Sequence, residues 1–551
     1  MMFNEFCEIL ENISKTKSRL EIRAKLKEMF SKLNPNEAMI VCYLLEGRLA
    51  PSYMNIETNI SEKTILSILS TISGYDKNTL ENEYKKYGDI GDLAYDLKIK
   101  LSKLSARKSY SLEEVYNILM KISKLQGEDS NKIKQDILIN LFSNISNIER
   151  KYLSRILVGK IRIYIGTATI LEGLADTFEL DHEMVKNIYY LISDIGMTAF
   201  KIFNKDFSMK IIPFHPISPA LAERATSAEE ILSHISNPII EYKYDGFRIQ
   251  VHKFGEKVEI YSRKLENITS YLPEIVENLK QYKDDFIIEG EAVAFENGKP
   301  LPFQEIIKRK RKYDIKEFAE KIPITVYYFD ILYFNEELYN KPLAERRRIL
   351  DNLELNKTKA IISSNIEEIS EFYKKALEEG MEGIIAKKPD SPYTPGQRNH
   401  NWIKLKKSLD TIDCLVVGYF YGEGKLKGFP ASLLLAVKNG DSYETIAKAS
   451  SGLSEQELIE LKNILQPVKL NVISNIEPDV WATGVVVEVA YDEITLSPVH
   501  TCNYKNGRGL ALRFPRIVRI RTDRNIEDIT TSKEVEALYN LQKLGKEKLQ
   551  E

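Results

Sequence analysis

Apolar residues recur at i, i+3, i+4 and i+7 in the first part of the chain, the spacing of an amphipathic helix. Val115, Ile118, Leu119 and Ile122 follow it directly after Ser111-Leu-Glu-Glu114, whose Ser and Glu have capping-box spacing. Ile65, Ile68, Leu69 and Ile72 repeat it in ETNISEKTILSILSTISG. The pattern predicts a mainly helical region up to about residue 210. It contains no repeat of fixed period and no low-complexity tract.

The texture changes after the proline-bearing stretch IIPFHPISPALAERA (Ile211–Ala225). IIEYKYDGFRIQVHKF and KVEIYSRKL flank Gly255-Glu256 and predict a hairpin. DFIIEGEAVAF ends at the turn dipeptide Asn297-Gly298, and ITVYYFDILYF and GIIAKK are further strands. Helical stretches such as PEIVENLKQY and EISEFYKKALEEG separate them, so this region is mixed α and β. Beyond Leu409, DCLVVGYFYG, SLLLAVK, ETIAKAS and TGVVVEVAYDEI are short strands punctuated by Gly or Asn-Gly, which predicts a small barrel. The expected domains are 1–212, 213–407 and 408–551.

Composition narrows the class. The chain has 551 residues, which suggests roughly three or four domains and excludes a small disulfide scaffold. Hydrophobic residues make up 43% and charged residues 29%, typical of a globular protein and too apolar for a disordered one. No apolar run approaches the ~20 residues needed to span a bilayer. The N-terminal MMFNEFCEILENISK carries acids among its first apolar residues and does not read as a secretory signal. The formal net charge is −2, so any nucleic-acid site must be a local basic surface. Cys7, Cys42, Cys414 and Cys502 form no CxxC pair and read as buried thiols in a reducing cytoplasm. The six histidines show no metal-binding spacing.

The most informative stretch is Glu241-Tyr-Lys-Tyr-Asp-Gly-Phe-Arg248, where Lys243 is held beside a sharp turn at Asp245-Gly246. A short K-x-D-G is weak by itself. It is followed in order by Tyr261-Ser-Arg-Lys-Leu-Glu-Asn-Ile-Thr269, Glu289-Gly-Glu291, Tyr328-Phe-Asp330, Glu382-Gly-Ile-Ile-Ala-Lys387 and Trp402-Ile-Lys-Leu-Lys406. This series resembles the motifs of the covalent nucleotidyltransferases, the superfamily of ATP-dependent DNA ligases and mRNA capping enzymes. IRIYIGTATILEGLA (Ile161–Ala175), HPISPALAERA and LRFPRIVRIRTDRN (Leu512–Asn525) resemble segments of archaeal and eukaryotic-type replicative DNA ligases. The resemblance implies an all-α DNA-binding domain, an α+β nucleotidyltransferase (adenylation) domain and a C-terminal β-barrel OB-fold domain.

It also implies roles. Lys243 would attack the α-phosphorus of ATP, expelling pyrophosphate and forming a lysyl-AMP. Only a neutral amine is nucleophilic, and lysine has an ordinary pKa of ~10.4, so adjacent cations (Arg248, Arg263, a bound metal) are expected to promote the reaction. Glu289 and Glu291 share a strand face. The resemblance gives Glu291 to the ribose or a metal, and Glu382 to the metal, with Mg²⁺ expected and Mn²⁺ as a substitute. By strand parity Glu382 and Lys387 fall on opposite faces, so one must lie at a strand end. Phe329 matches the adenine-stacking position, and Glu241 matches the acid beside the base. Lys387 and Arg398 match nucleotide-contacting positions. Lys404 and Lys406 share one face against Ile403 and Leu405, which suits phosphate oxygens. Arg519 and Arg521 share a face opposite Val518 and Ile520, and with Asp523 they match an element that orients pyrophosphate. Arg524 stands where the family has Lys, a planar fork in place of a point charge.

Nicked duplex DNA is the expected partner. Lys308, Arg309, Lys310, Arg311 and Lys312 form a run of cations able to neutralise phosphates. Arg155, Lys160 and Arg162 surround Gly159 and Gly166, where Thr167 and Thr169 could open a helix facing a phosphate. The expected protein is a monomer without membrane attachment, with a sliding-clamp protein as a further partner. Two rivals remain: an RNA ligase or mRNA guanylyltransferase on the same core, and a non-catalytic DNA-clamping protein with a relic nucleotide site. The long helical N-terminal region argues against the first. Intact Lys243, Glu291, Glu382, Lys404 and Lys406 argue against the second.

Overall fold

The computed structural model describes all residues except 17, 100–108, 128, 164, 297–298, 301–323, 407–410, 423–427, 492 and 549–551. The chain forms two compact units, Met1–Pro219 with Leu265–Asn267, and Ala220–Lys264 with Ile268–Glu551.

The first unit is built of helices, from Phe3–Ser14 to Ile195–Phe203. The helix Leu112–Lys124 starts where its sequence predicts. Ser111 Oγ accepts from the Glu114 N–H, and the Glu114 carboxylate accepts from the Ser111 N–H, so two donors of the first turn are satisfied. Its Val115, Leu119 and Ile122 are buried, as are Ile65, Ile68, Leu69 and Ile72 of the helix Glu62–Ser73. These faces join one apolar core running through the unit. Thr167 opens the helix Thr167–Phe178.

The second unit begins with two sheets. Its strands run β1 (Leu221–Ala225), β2 (Ile239–Lys243), β3 (Phe247–Phe254), β4 (Lys257–Ser262), β5 (Phe286–Glu296), β6 (Lys299–Pro300), β7 (Ile324–Phe334), β8 (Ala360–Ile362), β9 (Gly383–Lys387) and β10 (Arg398–Lys406). One sheet has the order β1-β10-β9-β2-β8, and the other β4-β3-β5-β6 with β7 paired to β5. The hairpin at Gly255-Glu256 is present as β3–β4. The turn after Lys243 is not a hairpin: β2 and β3 lie in different sheets, so Tyr244–Gly246 carries the chain from one to the other. Each sheet has its own core, with Ile240, Ile384, Ile403 and Leu405 in the first and Ile249, Val251, Ile288 and Ile331 in the second.

Two glycines permit the strands to close around Lys243. A Cβ on Gly246 would lie 2.3 Å from the Ala292 carbonyl oxygen of β5. Gly383 has φ +147°, and a Cβ there would lie 2.1 Å from the Leu405 carbonyl oxygen of β10. Gly246→Ala is therefore expected to destabilise this unit by about 1–3 kcal/mol, the usual cost of overpacking. Urea unfolding checks it, and a change below about 0.5 kcal/mol would contradict the close approach.

The C-terminal strands are β11 (Thr411–Tyr421), β12 (Pro430–Asn439), β13 (Ser442–Ala449), β14 (Val472–Ile473), β15 (Val480–Trp481), β16 (Val486–Ala490), β17 (Glu493–Ser497), β18 (Cys502–Lys505), β19 (Arg508–Arg513) and β20 (Arg516–Ile520). They differ from the expected barrel. The described strands form a seven-stranded sheet and a three-stranded sheet, not one closed cylinder. Backbone pairing does not continue as a ladder between β13 and β18. The sheets are linked by the Thr501 N–H donating to the Thr445 carbonyl (2.9 Å) and the Thr445 N–H donating to Thr501 Oγ1 (2.9 Å). They share one core, in which Cys414, Leu435 and Val487 meet Ile494, Cys502 and Leu510. All four cysteines are buried and free. Among the described residues, no helix is long and apolar enough to cross a membrane.

Candidate active site

Lys243 ends β2, where the chain leaves one sheet for the other. Its ammonium nitrogen lies 2.6 Å from Glu382 Oε2, and Lys406 Nζ lies 2.6 Å from the same oxygen. The Glu382 N–H donates to the Lys243 carbonyl (2.9 Å), which locks the carboxylate beside the lysine. Glu382 precedes β9 and Lys387 closes it, so Glu382 is the residue at the strand end. Burial works to raise the Glu382 carboxyl, but Lys243 and Lys406 hold it well below the usual carboxylate range. Glu291, half-buried on β5, is pushed up to about 7 by burial, opposed by Lys243 and reinforced by the charge of Glu382. Asp245 is raised by burial and by Glu382, against the pull of Arg519 and Lys243.

Arg248 is committed elsewhere: Nη2 donates to Glu289 Oε2 (2.7 Å) and to the Tyr393 hydroxyl (2.9 Å), and Nη1 donates to the Ala220 carbonyl (2.7 Å). Tyr393 in turn donates to Glu289 (2.9 Å). The cation sharing Lys243's carboxylate is Lys406 instead.

Phe329 is buried on β7, with the Arg248 guanidinium 5.2 Å and the Lys387 ammonium 4.6 Å from its ring centre. Trp402 meets it edge-on at 6.0 Å. Glu241 on β2 accepts from Lys387 Nζ (2.9 Å) on one oxygen and from Arg347 Nη1 (2.9 Å) on the other. Next to Phe329, Asp330 is fully buried and takes both forks of Arg346, at 2.8 and 2.9 Å.

Cations gather beside Lys406. Burial among Arg524, Arg398 and Lys406 drives the Lys404 ammonium well below its ordinary range. Lys406 is pushed down to about 8 by burial and by Lys243 and Arg524, against Glu382. Arg263 is lowered to about 10 by burial and Arg524, against Asp528. Arg524 Nε is buried without a hydrogen bond but pairs with Asp413 of β11 (3.5 Å), which Arg521 also reaches (3.4 Å). Burial first, and neighbouring like charge second, disfavour the charged forms of Lys404, Lys406 and Arg263, a state that a bound polyanion relieves.

The C-terminal strands and helix supply the acids that face this cluster. Arg519 Nε donates to Glu488 (2.6 Å), and Arg521 reaches Glu488 as well (3.4 Å), so the two arginines share a face as expected. Arg521 also forks onto Asp523 at 2.8 Å twice. Opposite them Val518 is half-exposed, so that face is not simply core. Arg263 pairs with Asp528 (3.4 Å) and Arg398 with Glu534 (2.8 Å).

The structure thus brings Glu241, Lys243, Arg248, Arg263, Glu291, Phe329, Glu382, Lys387, Arg398, Lys404, Lys406, Arg519 and Arg521 into one unit. Arg155, Lys160 and Arg162 belong to the first unit. Arg155 is buried, with Nε on Asp89 (3.1 Å) and Nη2 on Asp92 (3.1 Å). Arg162 pairs with Asp89 (2.7 Å) and Lys160 with Glu62 (3.2 Å). Lys308, Arg309, Lys310, Arg311 and Lys312 lie outside the described residues. Sequence reasoning missed Tyr393, Arg346, Arg347, Asp413, Glu488 and Glu534. Arg346 carried a signal: with Leu343 and Leu350 it occupies the apolar stripe of the helix Leu343–Asp351, where a charge demands a buried partner.

Comparison with known proteins matches three stretches to family models. Residues 2–175 match the DNA ligase N terminus, 219–406 the ATP dependent DNA ligase domain, and 427–524 the ATP dependent DNA ligase C terminal region. A DNA ligase of Acidianus ambivalens is 37% identical over 98% of this chain and 98% of its own. A DNA ligase of Saccharolobus solfataricus has the same identity and coverage. Among solved structures, mycobacterial DNA ligase D complexed with ATP and MES is 22% identical, covering 57% of this chain and 98% of its own, with a TM-score of 0.36.

Proposed function

We propose, on the premise that this chain belongs to the ATP-dependent DNA ligase family, that its DNA joining runs through an adenylate on Lys243. The chain is an enzyme that uses ATP to seal DNA, and nicked DNA is its substrate. The observation that carries the lysine assignment is geometric: Lys243, at the end of β2, shares Glu382 Oε2 with Lys406, each at 2.6 Å, beside the cations Lys404, Arg398 and Arg524. A triphosphate neutralises that group and brings its α-phosphorus to the lysine.

The neutral Nζ of Lys243 attacks that phosphorus. An N–P bond forms, the P–O bond to pyrophosphate breaks, and the lysine sheds its proton. Lys404, Lys406, Arg398 and Arg524 hold phosphate oxygens, and Arg519 and Arg521 steer pyrophosphate away. Arg263 and Arg398 must exchange Asp528 and Glu534 for phosphate as this happens. Phe329 stacks on adenine while Glu241 reads the base edge, and Arg248, fixed by Glu289 and Tyr393, faces the ribose. The 5′-phosphate at the nick then takes AMP from Lys243. Finally the 3′-hydroxyl attacks that phosphate, forming the phosphodiester bond and releasing AMP.

Glu291 and Glu382 are the residues that would hold Mg²⁺. Their oxygens are hard donors, and a carboxyl pushed up to about 7 by burial and, less, by the charge of a second carboxylate is an arrangement a divalent ion relieves. When bound, the ion supplies charge stabilisation at the phosphates. The helical residues 1–212 grip the duplex, 213–407 carry adenylation, and 408–551 form an OB-type module.

The test uses ATP labelled at the α-phosphate. Label is expected on the protein and is expected to leave it when nicked duplex DNA is added, with sealed product appearing. RNA ends are expected to leave it in place. A protein that takes no label, or one discharged by RNA ends alone, contradicts the reading.

A further inference from the structure

Glu241 is 2% exposed and is held from two sides. Lys387, with its side chain 1% exposed, donates to Oε2 and also to the Phe329 carbonyl (3.2 Å). Arg347 donates to Oε1 and is itself gripped along its length. Its Nε contacts Asp351 (2.9 Å), Nη1 donates to Thr358 Oγ1 (3.1 Å), and Nη2 donates to the Thr358 carbonyl (3.0 Å). The Thr358 N–H donates to the Tyr328 carbonyl (3.0 Å), beside Phe329. Arg347 therefore ties the acid of one sheet to the strand of the other that carries the aromatic ring.

This matters because a carboxylate is acceptor-only, with about four lone-pair sites. Two are taken by the cations. Those remaining can accept from an amino group and cannot accept from a carbonyl. An unrestrained glutamate could swing away from an unsuitable base; one pinned at both oxygens cannot.

We propose that Arg347 is a positioning residue for donor-base discrimination: it fixes Glu241 so that the site favours a purine nucleotide bearing a 6-amino group over one lacking it or carrying a 6-oxo group. The proposal rests on the reading that Glu241 meets the base during adenylation of Lys243. Arg347 acts through Glu241 and does not touch the nucleotide.

The experiment compares enzyme–nucleotide formation from ATP, purine riboside triphosphate (no 6-amino group) and GTP, in the full-length protein and in Arg347→Leu. The natural protein is expected to favour ATP over purine riboside triphosphate by about tenfold or more in kcat/KM. Arg347→Leu is expected to lose about tenfold with ATP, through KM at nearly constant kcat, and to change less than about twofold with the analogue. The ratio between them then collapses, and GTP gains on ATP. Arg347→Lys, which keeps one charged donor, is expected to fall between, and its ratio is read in the same way should the leucine variant not fold. If both donors fall together, Arg347 is only structural and the proposal is overturned. If the natural protein shows no preference between ATP and the analogue, Glu241 does not read the 6-amino group and the proposal is overturned with it. Failure of every donor to label the natural protein contradicts the adenylation reading itself.

Discussion

Lys243→Ala is expected to take no adenylyl group from ATP and to seal nicks from ATP at least about 10⁴-fold more slowly, the scale of losing a covalent nucleophile. The same variant is expected to retain measurable sealing of a nick already carrying AMP on its 5′-phosphate. The two results separate because the lysine supplies the attacking atom only while AMP passes from ATP to the enzyme. In the last step the attacking atom is the 3′-hydroxyl, and the phosphate-holding groups Lys404, Lys406 and Arg398 are untouched. The variant should also remain folded: Lys243 ends its strand, and Glu382 keeps a partner in Lys406. Gel assays with plain and pre-adenylated nicks check the pair. Loss of both activities with an unaltered melting curve would give Lys243 a wider role than nucleophile, and retention of both would remove it from the mechanism.

Arg346→Met is expected to lower the stability of the second unit by about 3–5 kcal/mol, because it strands Asp330 as an unpaired buried charge. Methionine fills much of the volume, so the loss reports charge more than space. Arg346 also donates to the Lys341 and Ser391 carbonyls, which would lose a partner too. The double variant Arg346→Met, Asp330→Leu is expected to recover a large part of the loss, since a buried pair replaced by apolar groups is often near neutral. Denaturant unfolding of the three proteins closes the cycle. A single-variant loss under about 1 kcal/mol would show that water reaches Asp330.

The sequence made the local elements legible. Ser111 and Glu114 spell the start of a helix, and the stripe Ile65, Ile68, Leu69, Ile72 spells a buried face, because both signals lie within one turn or two of their effect. The motif residues were singled out through resemblance. Partnerships across sheets were not. That β2 and β3 separate at Tyr244–Gly246 depends on which strands pair, and pairing is set by long-range packing. The partners of the charges around Lys243 were out of reach for the same reason. Arg248 stands five residues away in sequence, yet its guanidinium turns to Glu289, while Lys406, 163 positions on, shares Glu382 with the lysine. Arg155 illustrates the opposite case: a basic residue among glycines suggested a phosphate contact, but its helix face is buried and Asp89 and Asp92 answer it. Even strand parity took its answer from the fold, since only the end of β9 shows that Glu382 lies outside it. The predicted barrel failed on pairing again: alternating short strands announce a β module but not whether its two sheets close into one cylinder.

Site mapping of the adenylated protein tests the central claim most directly. The protein is incubated with ATP and Mg²⁺, digested, and its peptides fragmented in a mass spectrometer. One adenylyl group is expected, on the peptide spanning β2, localised to Lys243. An adenylyl group on Lys387, Lys404 or Lys406 instead, with Lys243 unmodified, would contradict the account.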